Sequence, residues 1–121
     1  MGMRKRSSSS VKVFYPRLSG EEVVKLLRER LLKVAEELPL LKAVLFGSYA
    51  KGNYTVASDI DLLLVYAGPH REDAYAVVKR ALALPRLEVH AYTEEEYRRL
   101  GKTVRRMEEG GIVVYEGKEG K

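Results

Sequence analysis

Phe-Gly-Ser-Tyr-Ala-Lys-Gly at 46–52, followed shortly by Ser-Asp-Ile-Asp-Leu at 58–62, is the part of the chain that decides the predicted fold. An apolar run at 40–46 leads into the first segment, and a second apolar run at 62–66 continues from the second. Short apolar runs bounded by glycine and polar residues are typical of buried strands. The sequence therefore predicts a strand, a tight turn, a loop and a second strand.

The second segment carries two aspartates, Asp59 and Asp61. Because side chains alternate between the faces of a strand, both carboxylates point to one side, and Ile60 and Leu62 point to the other. Same-face neighbours lie roughly 6–7 Å apart, so that two carboxylates can bind one Mg²⁺ or bridge two ions. Without a cation, the two charges repel one another. The pair therefore predicts a site for one or two Mg²⁺ ions.

The first segment has the features of a phosphate-binding turn. Gly47 permits a sharp turn or a close approach of the backbone, and residues 48–51 predict one helical turn that ends at Gly52. The N–H groups at the start of such a turn can bind an anion, and the Ser48 hydroxyl adds a further donor. A phosphate-binding turn beside a metal site is what chemistry on a nucleoside triphosphate requires.

Over 46–65 the chain resembles the nucleotidyltransferase superfamily related to DNA polymerase beta, and within it the minimal nucleotidyltransferases. Those proteins carry Gly-Ser-x-x-Arg-Gly and, further on, Asp-x-Asp. The resemblance implies that Asp59 and Asp61 hold Mg²⁺. It also implies that the triphosphate is bound by Gly47, Ser48 and Lys51. Lys51 stands where the family usually has arginine, and it keeps the charge but loses the bidentate fork.

The resemblance also implies a third carboxylate on a later strand, and Glu88 is the candidate, although the family more often has aspartate there. Alternation along a predicted strand at 86–92 places Glu88, His90 and Tyr92 on one face. Glu88 would serve as the general base for an attacking hydroxyl or as a third metal ligand. The sequence leaves both roles open, and it does not decide whether His90 is structural or catalytic.

The function implied by the resemblance is Mg²⁺-dependent transfer of AMP from ATP to a hydroxyl group. Some similar proteins are antitoxins of prokaryotic toxin–antitoxin modules and transfer AMP to a tyrosine of a helical toxin of the HEPN family. The chain has little sequence outside the predicted catalytic core, so we expect its acceptor site to be shared with a HEPN-like partner or a second copy. Two alternatives remain: a non-catalytic module that binds a nucleotide or partner, and a basic regulator that binds nucleic acid.

Composition bounds the class of protein. At 121 residues, we expect one domain over 11–116, with a basic, serine-rich, disordered tail at 1–10 and a polar tail at 117–121. There is no apolar run of membrane-spanning length, no signal-peptide pattern and no cysteine, which together predict a cytoplasmic protein. A charged fraction of 32%, with a single asparagine and no glutamine, favours a thermophilic source.

The order of predicted elements gives the fold class. Helices are predicted at 19–38, 72–84 and 94–109, and strands at 11–15, 40–46, 59–66, 86–92 and 112–115. Two of the helices open with capping boxes, Ser19 with Glu22 and Thr93 with Glu96. We therefore expect an α/β (α+β) fold with a mixed sheet of about four to five strands and helices packed mainly on one face.

The last predicted helix has two distinct sides. One side is expected to be core, through Tyr97, Leu100, Val104 and Met107. The opposite side, named here the basic face, consists of Arg98, Arg99, Lys102, Arg105 and Arg106. With the net charge of +5, it is either a solvated surface or a docking surface for an acidic partner or RNA. The absence of tryptophan argues against base stacking there.

Overall fold

In a computed structural model of the protein, residues 18–55 and 57–117 are described. Within these ranges the helices are α1 (Gly20–Glu37), α2 (Ser48–Lys51), α3 (Ala74–Leu82), α4 (Glu94–Leu100) and α5 (Lys102–Glu108), and the strands are β1 (Leu40–Phe46), β2 (Ile60–Tyr66), β3 (Leu87–Thr93) and β4 (Ile112–Glu116). The strand predicted at 11–15 lies outside the described residues. No helix of the described chain has the length and apolarity needed to cross a membrane.

The strands form one mixed sheet in the order β3-β2-β1-β4. Strand β1 is antiparallel to both β2 and β4, whereas β2 and β3 are parallel. Because of these directions, the end of β1 and the starts of β2 and β3 lie at the same end of the sheet. The mixed sheet with its helices confirms the predicted α/β (α+β) class.

The longer helices, α1 and α3, pack on one face of the sheet and form the main core. Helix α1 begins with the predicted capping box: Glu22 N donates to Ser19 Oγ at 3.1 Å, and Ser19 N donates to Glu22 Oε1 at 2.8 Å. Its apolar stripe is fully buried, at Val23, Leu27, Leu31 and Val34. Burying side chains of this size stabilises the fold by about 1.5–3 kcal/mol each.

The shorter helices, α4 and α5, cover part of the opposite face. Val104 of α5 packs against Val44 of β1 and Leu63 of β2. Glu108 fastens this layer to the sheet, because it accepts hydrogen bonds from Lys42 Nζ at 2.9 Å and from the Tyr97 hydroxyl. The helices thus lie mainly on one face of the sheet, with a thinner layer on the other.

The prediction of one continuous helix at 94–109 is wrong. The chain forms two helices, which are separated at Gly101 with φ 47° and ψ −103°. Glycine can adopt this conformation, but it lies outside the α-helical region, so the first helix ends there and a second one begins. Leu100 consequently leaves the core side and is 38% exposed, although it was expected to be buried. The five cations of the basic face are all exposed, and the role of that face remains a prediction.

A stability prediction arises at the end of α3, where Ala83 has φ 47° and ψ 46°. Only glycine adopts this left-handed conformation without a steric penalty. We therefore expect Ala83→Gly to raise the free energy of unfolding by about 0.5–1 kcal/mol in urea denaturation. Ala76→Gly, in the exposed interior of the same helix, is the matched control and should lower it by about 1 kcal/mol. A loss of stability in both variants would contradict the assignment.

Candidate active site

The three predicted carboxylates lie at one end of the sheet. Asp61 is opposite Phe46 of β1 and, on its other side, opposite Glu88 of β3. Residues that are opposite one another in neighbouring strands point to the same face, so Asp61 and Glu88 are side by side. Asp59 comes directly before β2, two residues before Asp61, and shares its face. The group lies on the sheet face that α4 and α5 cover only in part, and the side chain of Glu88 is exposed.

The turn after β1 lies against Asp61. Gly47 has φ 78° and ψ −151°, and a Cβ atom at this position would overlap Oδ2 of Asp61. The predicted helical turn is confirmed as α2: Lys51 N donates to Gly47 O at 3.1 Å, and Gly52, with φ 82°, ends the helix. Gly47 therefore allows the backbone of the turn to touch the carboxylate.

This contact gives a prediction with a matched control. Gly47→Ala places a methyl group against Asp61, so we expect it to lower the nucleotidyl transfer that the resemblance implies about tenfold and the free energy of unfolding by about 2–3 kcal/mol. Gly52→Ala has the same unfavourable sign of φ, but no atom lies within 4 Å of the new Cβ. It should cost about 1–2 kcal/mol and leave transfer nearly unchanged. Equal effects of the two variants on the transfer rate would show that the contact with Asp61 is unimportant.

Asp61 is in an unfavourable environment for a carboxylate. Burial raises its pKa above the ordinary value of 3.8, His90 opposes this rise, and the charges of Asp59 and Glu88 add to it. The three carboxylates are therefore close enough to repel one another. A bound cation would remove this repulsion. His90, two residues after Glu88, is opposite Leu63, and its ring centroid is 5.4 Å from that of Phe46 in a tilted contact.

One residue of this site was missed by the sequence analysis. Arg86, directly before β3, forms an ion pair with Asp59, in which Nη1 is 3.5 Å from Oδ1. Its carbonyl oxygen also accepts a hydrogen bond from Ile60 N at 2.8 Å. An arginine before a strand carries no signal in isolation. Its role depends on the parallel pairing of β2 with β3, which brings the two strand starts together.

The arrangement of these side chains and their chemistry bear differently on metal binding. Among the described residues, no three His, Cys, Asp or Glu side chains are positioned to hold a metal ion together. The chemistry of the donor set nevertheless suits Mg²⁺, which prefers one or two protein carboxylates completed by water and phosphate oxygens. Asp61 and Glu88 are opposite one another on adjacent strands, and Asp59 directly precedes the strand of Asp61.

The tyrosines beside the turn have a structural role. The rings of Tyr49 and Tyr54 are stacked at 4.3 Å with an interplanar angle of 8°. Tyr49 is buried in the main core, and the Tyr54 hydroxyl accepts a hydrogen bond from Gly20 N at 2.8 Å. These contacts fasten α2 to the start of α1. Lys51, in contrast, is exposed on the last position of α2.

Comparison with known proteins gives a family match. The family model described as "Nucleotidyltransferase domain" matches residues 27–114, a range that includes the turn and all three carboxylates. No curated protein matches the chain.

Solved structures give fold matches. One is a protein of Sulfolobus solfataricus assigned as a nucleotidyltransferase, with 23% identity, 84% of this chain and 86% of that chain covered, and a TM-score of 0.56. Another is a toxin–antitoxin crystallised with AMP-PNP. It has 20% identity and a TM-score of 0.51, and the match covers 75% of this chain and 74% of that chain. A third is an MNT antitoxin in complex with a tri-AMPylated HEPN toxin of Shewanella oneidensis. It has 19% identity and a TM-score of 0.48, and the match covers 78% of this chain and 73% of that chain. At these identities the likeness concerns the fold.

Proposed function

Since the chain belongs to the nucleotidyltransferase domain family, whose model matches residues 27–114, we propose that it transfers AMP from Mg²⁺-bound ATP to a hydroxyl group. The observation that carries this proposal is the contact geometry at the end of the sheet. Asp61 is opposite Glu88, and the backbone of Gly47 reaches the Asp61 carboxylate. A turn suited to phosphate is thus in contact with the carboxylates suited to metal.

The roles of the residues follow from their positions. Asp59 and Asp61 would hold Mg²⁺, which would supply charge neutralisation at the α-phosphate and at the departing pyrophosphate. Glu88 lies beside them, opposite Asp61. The backbone N–H groups that follow Gly47, together with the Ser48 hydroxyl, bind the outer phosphates. Lys51 adds a positive charge at the other end of the same turn.

The chemical step is a displacement at the α-phosphorus. The acceptor oxygen forms a bond to that phosphorus, and the bond from the phosphorus to the oxygen that bridges to the β-phosphate breaks. Pyrophosphate leaves with the bridging oxygen. The proton of the acceptor hydroxyl passes to the carboxylate of Glu88, which is exposed beside Asp61 and can reach an incoming group. Catalysis then consists mainly of positioning and of charge stabilisation.

The acceptor is proposed to be a hydroxyl of a protein partner, such as a tyrosine of a HEPN-like helical toxin. The resemblance of 46–65 to antitoxin nucleotidyltransferases supports this, as does the fold match to a toxin–antitoxin crystallised with AMP-PNP. The exposed carboxylate end of the sheet is accessible to a side chain of another protein.

The proposal is tested by expressing the chain with the protein encoded beside it in the genome and adding labelled ATP and Mg²⁺. Peptide mass spectrometry should find AMP on a hydroxyl-bearing residue of the partner, and chelation of the metal should prevent this. A partner that is bound and inhibited but carries no nucleotide would favour a non-catalytic binding module instead.

A further inference from the structure

We propose that Arg86 is a positioning residue of the metal site: it neutralises Asp59 while no metal is bound, and a divalent cation displaces it from that carboxylate. This inference rests on the proposed function, because it assumes that Asp59 is a metal ligand. It adds a built-in competitor for the metal, which the resemblance does not imply.

The sheet itself places Arg86 opposite Asp59. The parallel register pairs Ile60 with Leu87 and Asp61 with Glu88. Asp59 and Arg86 directly precede the first of these pairs, so the same register brings them together. Both residues directly precede their strands, and their side chains meet in an ion pair. The ion pair therefore places the guanidinium next to the carboxylates at this end of the sheet. The Nη1 atom of Arg86 lies 3.5 Å from Oδ1 of Asp59.

The backbone of Arg86 holds the side chain at this point. Arg86 has φ 57°, a left-handed conformation that residues other than glycine seldom adopt. In this conformation the Arg86 carbonyl oxygen accepts a hydrogen bond from Ile60 N at 2.8 Å. That hydrogen bond joins the starts of the two strands that carry the carboxylates. The backbone of Arg86 is thus held beside Asp59, whereas its side chain is free to rotate.

The ion pair is accessible, and therefore weak enough to be displaced. Its side chains are 55% exposed for Arg86 and 50% exposed for Asp59. An exposed pair of this kind changes an equilibrium constant by about fivefold at most. A divalent cation that binds Asp59 together with Asp61 gains more than this, particularly when polyphosphate oxygens complete its coordination.

The consequence is selection between two forms of the metal. A bare cation must displace Arg86 and receives only the protein carboxylates, whereas a cation bound to a triphosphate brings phosphate oxygens with it. Arg86 therefore weakens the binding of bare metal and favours entry of the metal with its nucleotide. The displaced guanidinium remains within reach of the same end of the sheet, where the negative charge of the triphosphate collects.

The test compares Arg86→Gln with Arg98→Gln as a matched control. Arg98 also forms an ion pair at 3.5 Å, with Glu94, at similar exposures of 67% and 53%, and both variants lose one positive charge. Glutamine places no new demand on the backbone at φ 57°, because it is an unbranched residue like arginine. Binding of Mn²⁺ alone, followed by electron paramagnetic resonance without nucleotide, is the readout.

We expect Arg86→Gln to bind Mn²⁺ about three- to fivefold more tightly than the wild type, and Arg98→Gln to be unchanged. Arg86→Lys should stay close to the wild type because it keeps the charge. In an Asp59→Asn background, the substitution at Arg86 should have no effect, since the two residues act through one contact.

Equal Mn²⁺ affinities of the Arg86→Gln and Arg98→Gln variants, or weaker binding by Arg86→Gln, would overturn the inference and leave the proposed function intact. The proposed function has its own readout in the same assay. Wild-type protein that binds no Mn²⁺ even with an ATP analogue would contradict the metal site itself, and the inference with it.

Discussion

Replacement of Asp59 and Asp61 by asparagine is expected to lower nucleotidyl transfer by about 10³-fold or more, because the metal contributes several kcal/mol of transition-state stabilisation and each 1.4 kcal/mol corresponds to about tenfold. Asparagine has nearly the shape of aspartate, so the packing against Gly47 is kept. Transfer of label from ATP to the co-expressed partner measures the rate. Full activity of the double variant would refute the assignment of both residues.

The loss of activity should occur without a loss of stability. Burial, opposed by His90 and reinforced by Asp59 and Glu88, raises the pKa of Asp61. The folded protein therefore binds the Asp61 proton more tightly than the unfolded chain does, and the ionised side chain lowers stability at neutral pH. We expect Asp61→Asn to raise the free energy of unfolding at neutral pH, by less than about 1 kcal/mol because the site is partly solvated.

The same substitution has a defined pH dependence. As the pH falls through the raised pKa of Asp61 and then below 3.8, the wild-type carboxyl becomes neutral in the folded and unfolded states alike. The advantage of Asp61→Asn should therefore disappear on acidification, as measured by urea denaturation across this range. An advantage that grows as the pH falls would contradict the repulsion between the carboxylates.

Replacement of Glu88 by glutamine is expected to lower the rate constant of transfer about 10²- to 10⁴-fold, the usual contribution of a general base. The amide cannot accept the proton of the attacking hydroxyl, whereas the strand position opposite Asp61 is unchanged. Transfer of label from ATP to the co-expressed partner at saturating Mg²⁺ measures this rate constant.

The Mg²⁺ dependence of the rate separates the two roles that the sequence left open for Glu88. If Glu88 were instead the third metal ligand, Glu88→Gln would raise the Mg²⁺ concentration needed for half-maximal activity, and saturating metal would restore much of the rate. A rate of the Glu88→Gln variant that recovers fully at high Mg²⁺ would exclude the role of general base. The exposed position of Glu88 gives it the access to the acceptor that a base needs.

The local parts of the fold were predictable because their causes are local. Strand β1 has the predicted bounds of 40–46, and both capping boxes occur as expected, since each depends on residues only three positions apart. The turn at 48–51 with its terminal glycine was confirmed for the same reason. The positive φ of Gly47 and Gly52, which begin and end this turn, is a conformation that glycine adopts freely.

The errors and omissions have a different origin. Gly101 was included within a predicted helix because the apolar periodicity continues on both sides of it, whereas the observed φ and ψ divide the helix there. Arg86 was missed because its significance arises from the parallel register of β2 with β3. That register is set by contacts between residues distant in sequence, which periodicity does not report.

The most direct test of the central claim is a crystal structure of the chain with Mn²⁺ and a non-hydrolysable ATP analogue, with the metal located by its anomalous scattering. We expect Mn²⁺ bonded to carboxylate oxygens of both Asp59 and Asp61, Glu88 beside them, and the outer phosphates on the N–H groups after Gly47. Metal bound elsewhere, or a triphosphate that does not contact this turn, would contradict the account.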